Sequence, residues 1–243
     1  MSLSPEQLAS LAINSLSPAL MPDNGASACI LSFPKKNVLL TVRHAAGDGG
    51  SWGVAVRYVQ GKGMQLYRLG GFGFLTRIQF GKRKIKTKEV DFAYVAVPKT
   101  LQAFDEEVDP SGVVLRSAPK HILPAAVAEP SPDESYAFYG YTRHRLDDKF
   151  QLNLTPKHET GLKFNGESDD LLRFTCKERY HEYEEYQGCS GAPILDSQGR
   201  LVSLVVEGSD DRKEILGLNL RHYWAALLIE SGEWEAPPGV AGP

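Results

Sequence analysis

Acyl transfer needs a serine hydroxyl or cysteine thiol, a histidine to take its proton and a carboxylate to orient that histidine. The chain carries each in a suitable setting. Ser190 lies in Gly188-Cys189-Ser190-Gly191-Ala192-Pro193, directly ahead of the apolar Ile194 and Leu195. Gly188 permits a tight turn in which the N–H groups of Gly188 and Ser190 can converge on one oxyanion. Gly191 removes a Cβ that would crowd a substrate lying over the serine. His44 follows the apolar run Val38 to Val42, and Asp91 precedes the alternating run Phe92 to Val97. Each has a plainer reading: a Gly-Ser-Gly turn, a satisfied polar histidine after a strand, an aspartate capping a turn. Cys189 is either a second candidate nucleophile or a small buried side chain.

In the order His44, Asp91, Ser190, the chain resembles the chymotrypsin-like (trypsin-like) serine peptidases. The resemblance rests on Thr41-Val42-Arg43-His44-Ala45-Ala46 after a strand, Asp91-Phe92-Ala93 before one, and the Gly-Cys-Ser-Gly-Ala-Pro loop. It covers roughly residues 25 to 210. What it implies is an all-β fold of two six-stranded antiparallel Greek-key barrels, with short helices at the N- and C-terminal ends. It further implies His44 as general base, Asp91 as its orienting partner, Ser190 as nucleophile and the Gly188 and Ser190 amides as the oxyanion hole. Viral relatives that use cysteine carry it where Ser190 stands, so the resemblance gives Cys189 no catalytic role.

The resemblance also implies where a substrate side chain would be read. The bottom of the family's specificity pocket lies six residues before the serine, at Glu184, followed by Glu185 and Gln187, with Glu207 on a strand lining the wall. Carboxylates there would favour Arg or Lys before the cut through charge-assisted hydrogen bonds. The alternative is that the charged run from Lys177 to Glu185 is a solvated loop. Members activated by cleavage pair a new N-terminus with an aspartate just before the serine; Cys189 occupies that position and cannot make the pair. The family's bridge across the histidine is also incomplete, with Cys29 in the preceding strand but Ala45 after His44.

These residues must be positioned by short strands. Two β-rich runs on either side of Pro34-Lys35-Lys36-Asn37 form a hairpin delivering His44 to its end. Val54 to Tyr58, Gln65 to Leu69, the aromatic stretch 70–80 and Phe92 to Val97 supply the rest of a first barrel over 22–110. A crossover with Pro98, an acidic patch and Pro110 leads to a second barrel over 111–215. Its expected strands lie near Ala137 to Tyr141, Phe150 to Thr155, Leu171 to Cys176, Ala192 to Leu195 and Leu201 to Glu207. Leu8, Leu11, Ala12 and Leu16 predict an amphipathic helix within residues 1–21, started by Ser4-Pro5 and stopped by Pro18. The spacing from Leu216 to Ser231 predicts a second helix over 216–232, capped by Asn219 and clamping the second barrel. The tail 233–243 is expected to be disordered.

Composition narrows the function classes. With 243 residues, 42% hydrophobic and 23% charged, the chain is an ordinary globular one, and a net charge of −3 gives no general attraction to polyanions. The one basic run, Gly81 to Lys88, lacks interleaved aromatics and reads as a solvated loop, so neither nucleic acid nor membrane is an expected partner. No stretch approaches a membrane span, and the N-terminus lacks the pattern of a secretion signal. The histidines and cysteines lack zinc-ligand spacing, and no metal or other cofactor is expected. An odd count of three cysteines favours a reducing, cytoplasmic setting. The sequence therefore predicts an intracellular serine endopeptidase acting on a protein or peptide. By resemblance this would be a bacterial enzyme beside stress or defence proteins, with room for an activating partner. The alternative is a protease-fold binding or regulatory module without turnover.

Overall fold

The structure, a computed structural model, describes residues 2–21, 24–47, 51–80, 85–109, 111–146, 152–178, 186–209 and 213–234. Helix α1 (Pro5–Ser15) opens on a capping box: Ser4 Oγ accepts the Gln7 N–H and the Gln7 side chain accepts the Ser4 N–H. The helix ends before Pro18, because Leu16 already enters strand β1 (Leu16–Met21), paired with β2 (Asn24–Ser32). A residue preceding proline is pushed to extended geometry, so Ser17 belongs to the strand and the helix must stop ahead of it. Helix α1 buries Leu8 and Ala12 against the second barrel, where the Leu3 N–H donates to the Ser197 carbonyl at 2.8 Å.

The first half continues through β3 (Asn37–Thr41), β4 (Gly53–Val59), β5 (Gly63–Arg68), β6 (Gly73–Phe80) and β7 (Ile85–Val97). The hydrogen-bonded order is β5-β4-β1-β2-β3-β7-β6. Its edge strands β5 and β6, consecutive in the chain and joined by residues 69–72, share no ladder among the described residues, so the hydrogen-bonded ladder of the first half is not closed as that of the expected six-stranded barrel would be. Strand β2 is buried on both faces, and its period of two divides them. Ala26, Ala28 and Ile30 enter the core of the first half, while Cys29 and Leu31 join the core of the second. Ser27 shares that second face and is fully buried.

A hairpin of β8 (Phe104–Val108) and β9 (Val114–Pro119) follows, and β10 (Leu123–Pro124) returns to pair with β2. The second half is a closed barrel of β11 (Tyr136–Leu146), β12 (Leu152–Ser168), β13 (Leu171–Thr175), β14 (Pro193–Asp196), β15 (Leu201–Gly208) and β16 (Glu214–Asn219). Residues 216–219, expected as the start of a helix, therefore belong to the strand that closes the barrel. Leu216 and Leu218 sit between the β13 and β15 ladders, which satisfy the backbone on both sides and override the helical spacing. Asn219 instead caps a 3₁₀ turn, Leu220–Tyr223, which runs into α3 (Trp224–Ser231).

Helix α3 packs on the first half, contrary to the sequence expectation. Trp224 lies 5.5 Å from the Phe33 ring, and Glu230 accepts the Ala96 N–H at 3.1 Å. The chain thus ends by crossing back over the other half. Arg77 on β6 ties the halves again, pairing with Asp170 in the β12–β13 turn and reaching Tyr223 Oη at 3.3 Å.

The tightest approach of the halves is at Gly191. Its φ is +89°, and an added Cβ would stand 2.1 Å from the Ser27 carbonyl oxygen and 2.3 Å from Thr41 Oγ1. Neither neighbour can retreat, since both belong to buried strands and bond one another at 2.8 Å. Gly191→Ala is expected to lower stability by about 3 kcal/mol, read by equilibrium urea unfolding against wild type.

Candidate active site

Strand β3 ends at Thr41, and a single helical turn, α2 (Arg43–Ala46), lifts His44 out of the sheet with about half its side chain exposed. The β3–β7 register places Thr41 opposite Ala93, so Asp91 two residues earlier lies beside this turn. Asp91 falls inside β7, not ahead of a strand beginning at Phe92, because pairing with β6 extends β7 back to Ile85. Its Oδ1 accepts the His44 N–H at 2.8 Å and its Oδ2 meets Nδ1 at 2.7 Å. A carboxylate can only accept, so Nδ1 carries the proton and Nε2 offers its lone pair to the cleft. Arg43 holds the turn from the other side, bonded to Glu89 at 2.8 Å and lying over the Phe74 ring.

The pair polarises both partners. Hydrogen bonding to Asp91 raises the His44 pKa above its ordinary value; burial opposes this, while the charges of Asp91 and Glu207 reinforce it. Burial alone would raise the Asp91 carboxyl, but the bonds from the His44 ring and amide and the imidazolium charge hold it below its ordinary value.

The serine loop runs from Tyr186 to Ala192. The Cys189 N–H donates to the Tyr186 carbonyl at 2.9 Å, closing a turn whose third residue, Gly188, has φ +97°. That is a type II turn, which requires glycine there. The Ala192 N–H donates to the Cys189 carbonyl at 2.9 Å. Since N–H and C=O are opposed across a planar trans peptide, this bond turns the Ser190 N–H to the opposite side. Among the described residues neither the Gly188 nor the Ser190 N–H has an acceptor. The Ser190 hydroxyl donates to the Val206 carbonyl at 3.0 Å. Cys189 is fully buried against Gly140, and burial pushes its thiol up to about 12, which leaves it without thiolate near neutrality.

His44, Asp91 and Ser190 line one cleft of about 670 Å³, together with Gln187 and Glu207. Glu184 and Glu185 lie outside the described residues, as do 81–84 of the basic run and 235–243 of the tail. The remainder of the basic run, Ile85 to Lys88, is part of β7, and Lys88 stands at the cleft rim. The sequence reasoning missed the opposite wall, Asp169 and Asp170 in the β12–β13 turn. Their signal was an Asp-Asp pair between two alternating runs, with Asp169 in the left-handed region at φ +52°. Among the described residues no group of three or more His, Cys, Asp or Glu could hold a metal. All three cysteines are free.

Followed by NMR, His44 is expected to titrate with a midpoint above the ordinary 6.5. Asp91→Asn should move that midpoint down, since it removes both the acceptor and the charge. Chemistry that needs neutral His44 would then rise with pH through the wild-type midpoint and at lower pH in the variant.

No protein-family model and no curated protein matches the sequence. Solved structures do match. Neuropsin, a serine protease expressed in the limbic system of mouse brain, superposes with a TM-score of 0.55 at 12% identity, covering 94% of this chain and 97% of its own. HBP superposes with a TM-score of 0.56 at 11% identity, over 99% of this chain and 98% of its own. For the serine endoprotease from Yersinia pestis the TM-score is 0.52 at 13% identity, over 96% of this chain and 68% of that one. At these identities the likeness establishes the fold, which is that of the chymotrypsin-like serine proteases.

Proposed function

We propose that the chain is a serine endopeptidase that cleaves a protein or peptide substrate through an acyl-enzyme at Ser190. The observation that carries this is the His44–Asp91 pair at 2.7 Å, facing with Ser190 into one cleft beside two amides free to donate. In this reaction the Ser190 hydroxyl must leave the Val206 carbonyl and take His44 Nε2 as its acceptor. The hydroxyl then attacks the scissile carbonyl as His44 takes its proton, and Asp91 stabilises the imidazolium. The Gly188 and Ser190 amides receive the developing oxyanion. His44 returns the proton to the departing amine, and water, deprotonated by the same ring, releases the acyl group.

Cleavage after Arg or Lys is the proposed specificity. It is supported by Glu207 on the cleft wall, which has no ion-pair partner among the described residues and whose charge already reaches His44. The free cysteines agree with a cytoplasmic site of action, and a stress- or defence-associated role is proposed from the sequence resemblance alone. A second reading, a catalytically silent binding or regulatory module, is favoured by one observation: the Ser190 hydroxyl rests on Val206 and not on His44, an arrangement that a peptidase awaiting an activating partner would also have.

A fluorophosphonate should label the wild-type chain at one serine, and Ser190→Ala should abolish labelling. An unlabelled wild-type protein, alone or with cell extract, would favour the silent module. Among fluorogenic peptides, those with Arg or Lys before the cut should exceed Leu or Phe ones in kcat/KM. Glu207→Gln should cost the basic substrates about tenfold, the weight of one charge-assisted contact. Equal rates for basic and apolar peptides would sink the specificity.

A further inference from the structure

The serine loop belongs to the second half of the chain, yet the residue that touches it most intimately comes from the first. Ser27 on β2 is fully buried, and every polar group it has is engaged. Its N–H donates to the Ser190 carbonyl at 3.2 Å. Its Oγ donates to the Gly188 carbonyl at 2.9 Å and accepts the Tyr141 N–H of β11 at 3.3 Å. Its own carbonyl accepts the Thr41 hydroxyl at 2.8 Å.

These bonds act on particular peptide planes. The plane joining Gly188 to Cys189 is held at its carbonyl by Ser27 Oγ and at its N–H by Tyr186. The plane joining Ser190 to Gly191 is held at its carbonyl by the Ser27 N–H and at its N–H by Val205 at 2.8 Å. Between them lies the plane carrying the Ser190 N–H. Clamping both neighbours leaves that N–H, and the Gly188 N–H set by the turn, a single direction. Cys189 adds packing against Gly140 but no ion pair, and the Tyr186 hydroxyl ties the start of the loop to Glu159 within the second half; the hydroxyl of Ser27 is a polar side chain that holds the Gly188–Ser190 segment from the first half.

We propose that Ser27 is a positioning residue that holds the Gly188–Ser190 oxyanion donors in their competent geometry from across the seam between the two halves. This rests on the peptidase reading for its catalytic consequence, but not for its structural one. Loss of the hydroxyl takes the donor from the part-buried Gly188 carbonyl and leaves the first plane held only at its N–H.

The test compares wild type with Ser27→Ala, and Ser27→Thr with Ser27→Val, a pair of equal shape that differs only in the hydroxyl. For fluorophosphonate labelling, Ala and Val should lower the maximal rate by about tenfold or more and leave the half-saturating concentration within about twofold, while Thr keeps most of the rate. Hydrogen exchange at the Cys189 amide should quicken about tenfold or more in Ala and Val, beyond any quickening of amides distant from the loop, and stay near wild type in Thr. Labelling of Ala or Val at the wild-type rate, with unchanged exchange, would overturn the proposal. Should Ala fail to fold, the Thr and Val pair decides the same question. If wild type itself is never labelled, the peptidase reading fails separately, and exchange alone judges Ser27.

Discussion

A hydroxyl from one half of a chain and an imidazole from the other can act on the same carbonyl only if the seam between the halves is fixed to a fraction of an ångström. Here that seam is the backbone of Ser27 against the backbone from Gly188 to Gly191. Gly191 carries no side chain because there is no room for one: the Ser27 carbonyl and the Thr41 hydroxyl occupy the place. The close approach is what lets a strand of the first half hydrogen-bond a loop of the second directly, without intervening side chains. Everything that shapes the cleft, including the turn that lifts His44, is built outward from this contact.

The contacts that Ser27 makes with the serine loop are neutral, and the ion pair that crosses the seam, Arg77–Asp170, lies at the rim of the cleft. Cys189 is a buried thiol pressed on Gly140, and its loop is held by backbone and hydroxyl bonds. These bonds leave the Ser190 hydroxyl free to choose between acceptors, and in this structure it chooses the Val206 carbonyl. Charge is reserved for the cleft itself, where Asp91 and Glu207 both raise the proton affinity of His44. Arg77 and Asp170 then tie the rim of the cleft across the same seam.

The residues with distinctive chemistry were legible in the chain. A serine between glycines, a histidine after an apolar run and an aspartate beside an alternating run carry signals in their immediate neighbours, because turns and strand ends are local events. Five of the six strands of the second barrel were legible for the same reason, although β12 runs much farther than its alternating core suggested, carried by pairing on both sides. Asp169, Asp170 and Val206 were not legible as cleft residues. Nothing in their neighbourhood distinguishes them from any turn or strand; only the folding of β12 and β15 against the first half brings them to His44.

By itself the sequence determined which side chains could do chemistry and the approximate places of most strands, since these follow from residue type and a period of two, while the all-β class followed from the family that its motifs resemble. The tertiary structure decided the rest. It turned Leu216 to Asn219 from a helix start into a closing strand, because two ladders satisfy more backbone there than a helix end would. It sent α3 to the first half and brought Ser27, an unremarked serine between two alanines, against the Gly188 carbonyl of the loop. Those outcomes depend on contacts between residues far apart in the chain, which no local pattern encodes.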